Sequence, residues 1–304
     1  MRENKVYSVE IGGKEMVLET GKLAEQAGGA VTIRVEDTML LATATMSKTP
    51  REGINFFPLT VDYEERLYAG GRIPGSFFRR EGRPAEPAIL IARLTDRPIR
   101  PLFPKDMRND VQVIMYSLSS DGEVQMDMLA INAASAALTV SDVPFEGPVA
   151  GVRVGRINEQ FVINPTYQKM KESNLDLRVA GTKDAILMVE AGADEVDEDL
   201  MVEAIRYAHD SMQPLIDLQL RMKAEVGKEK RSYPSFAAPD GISEAVEKVM
   251  GTKLQDFLST PHPKAELYNG IDALEDEVKQ AFEESDNYEP REAAGAFQDL
   301  LRDA

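Results

Sequence analysis

Over its first sixty or so residues the chain alternates apolar and polar positions with a period of two, the signature of half-buried strands. Residues 6–11 (Val-Tyr-Ser-Val-Glu-Ile) run into Gly12-Gly13, a hairpin signal, and residues 16–20 answer them. A second pair, 30–35 and 39–45, turns at Glu36-Asp37 and is rich in β-branched side chains. Another strand is predicted over 56–63. The period then changes. Residues 85–96 read as a helix with Pro84 and Pro87 confined to its first turn, 111–118 as a strand, and 125–140 as a helix apolar almost all round, hence buried between layers. Strands resume at 149–154, 161–164, 175–180 and 185–190. A long helix starts near Glu195, with an acidic entry, a basic exit and Pro214 as an expected kink. Proline and charge break the pattern over 228–241, and helical periodicity returns at 242–250, 264–284 and 292–301. The prediction is an α+β fold, a mixed sheet with packed helices, spanning 1–230, then a linker at 231–241 and a small all-helical domain at 242–304 that is expected to be incomplete.

Composition narrows the chemistry. The 304 residues include no cysteine and two histidines, His209 and His262, far apart in the chain. A thiolate zinc site, a disulfide framework and a histidine-centred triad are therefore not expected, and His209 reads as packing. The acidic run around Glu275, Asp276 and Glu277 reads as a solvated face, so no metal site is assigned. No apolar run is long enough to span a bilayer and the amino terminus lacks a signal-peptide core, which makes the cytoplasm the default location.

The formal charge of −17 is unevenly spread. From Asp240 to Ala304 there are 16 acidic against 6 basic residues, whereas from Gly71 to Arg108 there are 9 basic against 4 acidic. Local field governs binding of a polyanion more than net charge does. Within that basic island lies Gly-Arg-Ile-Pro-Gly-Ser-Phe-Phe-Arg-Arg-Glu-Gly-Arg-Pro, residues 71–84. Two aromatics followed by two arginines between glycine and proline hinges offer base-stacking faces and phosphate donors on a protruding loop, which suits a single-stranded nucleic acid. The same residues also fit Phe77 and Phe78 plugging a core with solvated arginines. Arg93, Arg97 and Arg100 continue the basic surface at roughly one-turn spacing.

The loop 71–84, the stretch Leu-Thr-Asp-Arg-Pro-Ile-Arg-Pro-Leu-Phe-Pro at 94–104, the Asp121-Gly122-Glu123 turn with its apolar helix, and Leu-Arg-Val-Ala-Gly-Thr at 177–182 together resemble the N-terminal part of the bacterial polynucleotide phosphorylase (polyribonucleotide nucleotidyltransferase) family. The resemblance runs over essentially the whole chain. It implies an RNase PH-like core (ribosomal protein S5 domain 2-like) followed by an all-helical domain, and beyond it a second core domain with KH and S1 domains. It also implies assembly as a homotrimeric ring. It assigns single-stranded RNA contact to Phe77, Phe78, Arg79 and Arg80, with Arg83 beside them, and leaves Arg93, Arg97 and Arg100 as candidate phosphate contacts. The implied reaction is 3′-to-5′ phosphorolysis of RNA in mRNA degradation, releasing nucleoside diphosphates, with inorganic phosphate as co-substrate and Mg²⁺. Both belong at the second core domain.

The family's active domain wraps phosphate in a Gly-Ser-Ser-Ser turn and carries an Asp-x-Lys with a further Asp upstream. Here the turn is Asp121-Gly122-Glu123-Val124-Gln125, Asp176 and Arg178 fit the Asp-x-Lys loosely, and the upstream position is Met170. The expectation is a degenerate copy around Glu123, Met170, Asp176 and Arg178, one that binds RNA without cleaving it and holds no catalytic residue or metal. Two alternatives stand beside it: a self-standing RNA-binding scaffold, and a domain with residual phosphoryl-transfer activity built on the three arginines and Asp176.

Overall fold

The computed structural model describes residues 4–75, 81–283, 285 and 287–304. The chain divides into two compact units, Met1–Pro234 and Ser235–Ala304.

In the first unit, β1 (Lys5–Ile11), β2 (Lys14–Thr20), β3 (Gly29–Val35), β4 (Thr38–Met46), β5 (Leu59–Glu64) and β6 (Val111–Ser119) form one sheet in the order β1-β2-β3-β4-β6-β5. All neighbours are antiparallel except β5, which runs parallel to β6 and takes the edge. The strand predicted over 56–63 starts later, at Leu59. Pro58 has no N–H to give a ladder, so pairing begins after it. A second, antiparallel sheet has the order β10-β9-β7-β8, from β7 (Ala150–Ile157), β8 (Gln160–Ile163), β9 (Leu175–Gly181) and β10 (Ile186–Ala193).

Between the layers lies α2 (Met126–Val140), every residue of which is buried. It packs on β3 and β4, on β7, and on α1 (Glu86–Ile99) and α4 (Glu198–Val226). Alanines at 133, 134, 136 and 137 permit that close approach. Two of its buried polar groups, Asn132 and Ser135, are matched to β7 and the residue before it. Asn132 exchanges two hydrogen bonds with the backbone of Gly151, at 3.0 and 2.8 Å, and the Ser135 hydroxyl accepts from Val149 N–H at 2.8 Å.

Several helices differ by one to three residues from their predicted spans, and two of these shifts have a clear physical cause. The first helix runs three residues past Asp96, through Pro98, because Pro98 and Ile99 are buried and packing outweighs the lost hydrogen bond. The long helix begins at Glu198, where the Asp197 carboxylate accepts from Leu200 N–H at 3.1 Å, and continues through Pro214. A single-turn helix, α3 (Tyr167–Met170), precedes β9.

The second unit contains α5 (Ile242–Met250), α6 (Lys253–Leu258), α7 (Lys264–Ala281) and α8 (Pro290–Asp303) around Val246, Met250, Leu254, Val278 and Phe297. Glu289 and Glu292 close a capping box at the start of α8. Six-residue α6 is too short for periodicity to reveal. Among the described residues no helix is long and apolar enough to cross a membrane.

Candidate functional site

Phe77, Phe78, Arg79 and Arg80 lie outside the described residues; what is described is how the chain reaches and leaves them. The 3-10 turn Leu67–Gly70 leads in, and Gly71 and Gly82 hold φ of 68° and 67°, a region where a Cβ is strained. Arg83 is exposed beside the second of these hinges.

The next basic residues come from α1. Arg93, Arg97 and Arg100 line one open cleft of about 390 Å³ between that helix and β5, together with Asp62, Tyr63 and Asp96. The three do not stand alike. Arg93 is exposed and makes no ion pair with any described residue. Arg100 is gripped by Asp96 at 2.8 and 2.6 Å and also donates to the Leu59 carbonyl at 3.1 Å, on the free edge of β5. Arg97 pairs with Glu190 at 2.7 Å. Burial pushes the Tyr63 hydroxyl well above its ordinary pKa, so it stays protonated in this cleft.

Glu190 opens a chain of charges that reaches into the molecule. Its second oxygen takes Arg178 Nη1 at 3.0 Å. Arg178 goes on to Asp127 at 3.0 Å and Asp176 at 3.1 Å. Arg153 closes the set, fork to fork with Asp176 at 2.6 and 2.5 Å and reaching Asp127 at 3.2 Å. Burial works against the charge on Arg153, yet Asp176 and Asp127 outweigh it and hold its proton more firmly than usual. Three guanidinium groups thus face three carboxylates, from α1, α2, β7, β9 and β10.

A divalent ion needs carboxylate lone pairs free to face it. Asp127 and Asp176 already present theirs to Arg153 and Arg178, so these residues do not fit a metal. Among the described residues no group of three His, Asp or Glu side chains is arranged to hold one.

The turn before α2 tells the same story for anions. Backbone N–H groups ahead of a helix are ready donors to phosphate. Here Asp121 Oδ1 accepts from Glu123 N–H at 2.8 Å and Val124 N–H at 2.9 Å. Burial alone would raise the Asp121 carboxyl, but these two donors and Thr38 more than offset it and its pKa is lowered. The chain's own carboxylate therefore fills the anion position. Glu123 is exposed and its carbonyl accepts from Tyr167 N–H at 3.1 Å; Met170, three residues further on, packs its sulfur toward Gly155.

Of the residues singled out from sequence, Asp176 and Arg178 meet in one cluster, and Arg97 joins it only through Glu190. Asp127, Arg153 and Glu190 were missed. A charge centred in the apolar run Val152-Arg153-Val154 was the available signal, since such a group demands a partner. His209 Nε2 lies 3.0 Å from the Thr182 carbonyl and belongs to packing of α4 on the second sheet.

Comparison with known proteins places these features. Two family models match in tandem: "3′ exoribonuclease family, domain 1" over residues 12–144, and "3′ exoribonuclease family, domain 2" over 147–211. The chain is 52% identical over 257 residues to a polyribonucleotide nucleotidyltransferase of Heliobacterium modesticaldum, covering 84% of this chain and 36% of that protein. It is 49% identical over 310 residues to one of Chloroflexus aurantiacus, covering 100% of this chain and 41% of that protein. It thus spans about two fifths of the length of the curated relatives it matches. Among solved structures it resembles a chain of the Archaeoglobus fulgidus exosome with RNA bound to the active site (TM-score 0.53, 18% identity, 74% of this chain and 89% of that one). It likewise resembles rice (Oryza sativa) Rrp46 (TM-score 0.52, 12% identity, 74% and 94%). With the two domain matches following one another along a mixed α/β fold shared with RNase PH-like proteins, the chain belongs to the 3′ exoribonuclease (RNase PH) family.

Proposed function

We propose that this chain is the N-terminal part of a polyribonucleotide nucleotidyltransferase, a phosphorolytic 3′-to-5′ exoribonuclease of mRNA degradation in the cytoplasm, and that its own task is to grip single-stranded RNA and help build a homotrimeric ring. Residues 1–230 act as the first RNase PH-like core domain, 231–241 as linker and 242–304 as the helical domain. Phe77, Phe78, Arg79 and Arg80, with Arg83, contact RNA. Arg93, Arg97 and Arg100 act as phosphate contacts from the cleft between α1 and β5, and Arg93 is the one that needs to break no ion pair with a described residue to do so. Inorganic phosphate and Mg²⁺ act at a second core domain, which with KH and S1 domains completes the working protein.

The observation that carries the division of labour is the occupancy of the old site. Asp121 fills the phosphate position before α2, and Arg153 and Arg178 take up Asp127 and Asp176. What is left is a binding surface without the groups to polarise a phosphodiester.

The test is to incubate the 304-residue chain with an oligo(A) substrate, phosphate and Mg²⁺, recording RNA binding and nucleoside diphosphate release in parallel. Binding without release is expected. Phosphate-dependent release would overturn the proposal and restore the reading of a residual active site on the arginine cleft.

A further inference from the structure

An acidic residue, Glu81, follows directly on the two arginines of the basic loop, where a free carboxylate would repel the phosphates the loop is meant to hold. The structure shows where that charge goes. Glu81 Oε2 accepts from Arg66 Nη1 at 2.6 Å, and Oε1 accepts from the Leu67 N–H at 2.8 Å. The pairing with Arg66 and the Leu67 amide holds its carboxyl below the usual range.

The entry stem is fastened to the same turn. Arg72 N–H donates to the Leu67 carbonyl at 2.9 Å, and Gly71 N–H to Tyr68 O at 2.9 Å. Leu67 therefore holds both stems, one through its carbonyl and the other through its amide. The turn is in turn pinned to the sheet. Arg66 N–H donates to Ser117 Oγ at 2.8 Å, the Arg66 guanidinium lies 4.9 Å from the Tyr116 ring centroid, and Ser120 N–H donates to Ala69 O at 2.9 Å. Arg66 also pairs with Glu64 at the end of β5. Tying two loop ends to one rigid point removes conformational entropy that RNA binding would otherwise have to overcome.

We infer that Glu81 is a positioning residue for RNA binding: by holding Arg66 and the Leu67 amide it locks the exit stem of the 71–84 loop against the entry stem and has its own charge taken up by Arg66. This rests on the proposal that the loop grips RNA. Glu81 itself touches no RNA in this scheme.

The experiment compares the parent chain with Glu81→Ala, Glu81→Gln and the double variant Phe77→Ala/Phe78→Ala. Binding of fluorescein-labelled oligo(A) is read by anisotropy, loop cleavage by limited trypsin digestion after Arg72, Arg79 and Arg80, and folding by urea unfolding. Glu81→Ala is expected to lose roughly tenfold in affinity and to be cut several times faster in the loop, with its urea midpoint near the parent's. Glu81→Gln keeps an acceptor for the Leu67 amide without the charge and should fall between. If Glu81→Ala binds as tightly as the parent while the phenylalanine variant loses affinity, the positioning role is wrong and the loop reading survives. If the phenylalanine variant binds unchanged, both fall. Should Glu81→Ala fail to fold, Glu81→Gln decides: parent-like affinity and cleavage overturn the inference.

Discussion

Arg153 holds Asp176 with two parallel hydrogen bonds, Nε to Oδ1 at 2.6 Å and Nη2 to Oδ2 at 2.5 Å, inside a cluster where Arg153 itself is nearly buried. Breaking one side of such a pair leaves the other charge desolvated. Arg153→Met should therefore destabilise the first unit by about 3 kcal/mol, more than the methionine's own packing recovers. Urea unfolding of the two proteins measures the difference, and a change below about 1 kcal/mol would mean the cluster behaves as an exposed one.

Asp121 can be removed to reopen the anion position. In Asp121→Ala the N–H groups of Glu123 and Val124 lose their internal acceptor, at a cost of about 1 kcal/mol. Inorganic phosphate should then raise the melting temperature of the variant more than that of the parent. Equal responses in a phosphate titration would show that the turn does not bind anions even when vacated.

Asn132 sets the register of α2 on β7 through its two bonds to Gly151. Asn132→Ala strands a buried N–H and a buried carbonyl, so a loss of about 2 kcal/mol is expected. Calorimetric melting checks it, and the loss should exceed that from an exposed substitution such as Lys22→Ala.

Alkaline stability has a sign that follows from Lys230. Burial, aided by Lys223, pushes its ammonium down to about 8. The unfolded chain keeps that proton to about 10.4, so between these values it binds more protons than the folded chain and stability rises with pH. Tyr63 and Tyr233, the latter pushed up to about 12 by burial and by Asp106, work the other way above pH 10, where only the unfolded tyrosines ionise. The urea midpoint should climb from pH 8 to 10 and then fall; Lys230→Met should flatten the climb and leave the fall.

Strand alternation and the almost wholly apolar α2 made the strands, the buried helix and the helical unit legible from residues alone, because each is a local pattern, but not the division of the strands into two sheets. The charge cluster was not. Its members lie as far as 93 positions apart, Arg97 to Glu190, on elements that only the fold brings together. Asp176 and Arg178 could be named because they loosely match the Asp-x-Lys of the family the chain resembles, whereas Asp127 reads as an ordinary first-turn acid of a helix and Glu190 as a strand-end charge. Pro58 and Pro98 mark the opposite case. Pro58 fell inside the predicted strand and Pro98 just beyond the predicted helix, and only the packing around them says that one delays a strand while the other is carried inside a helix.

The burial of α2 also orders the birth of the protein. The sheet that forms its floor is complete once β6 has emerged, but its cover comes from β7 and from α4, which ends at Val226. A ribosome-bound chain that has made α2 and not yet α4 carries a fifteen-residue apolar helix with one side bare. During that interval the helix is a target for chaperones and for neighbouring nascent chains, and the pace of translation between the two helices bears directly on yield.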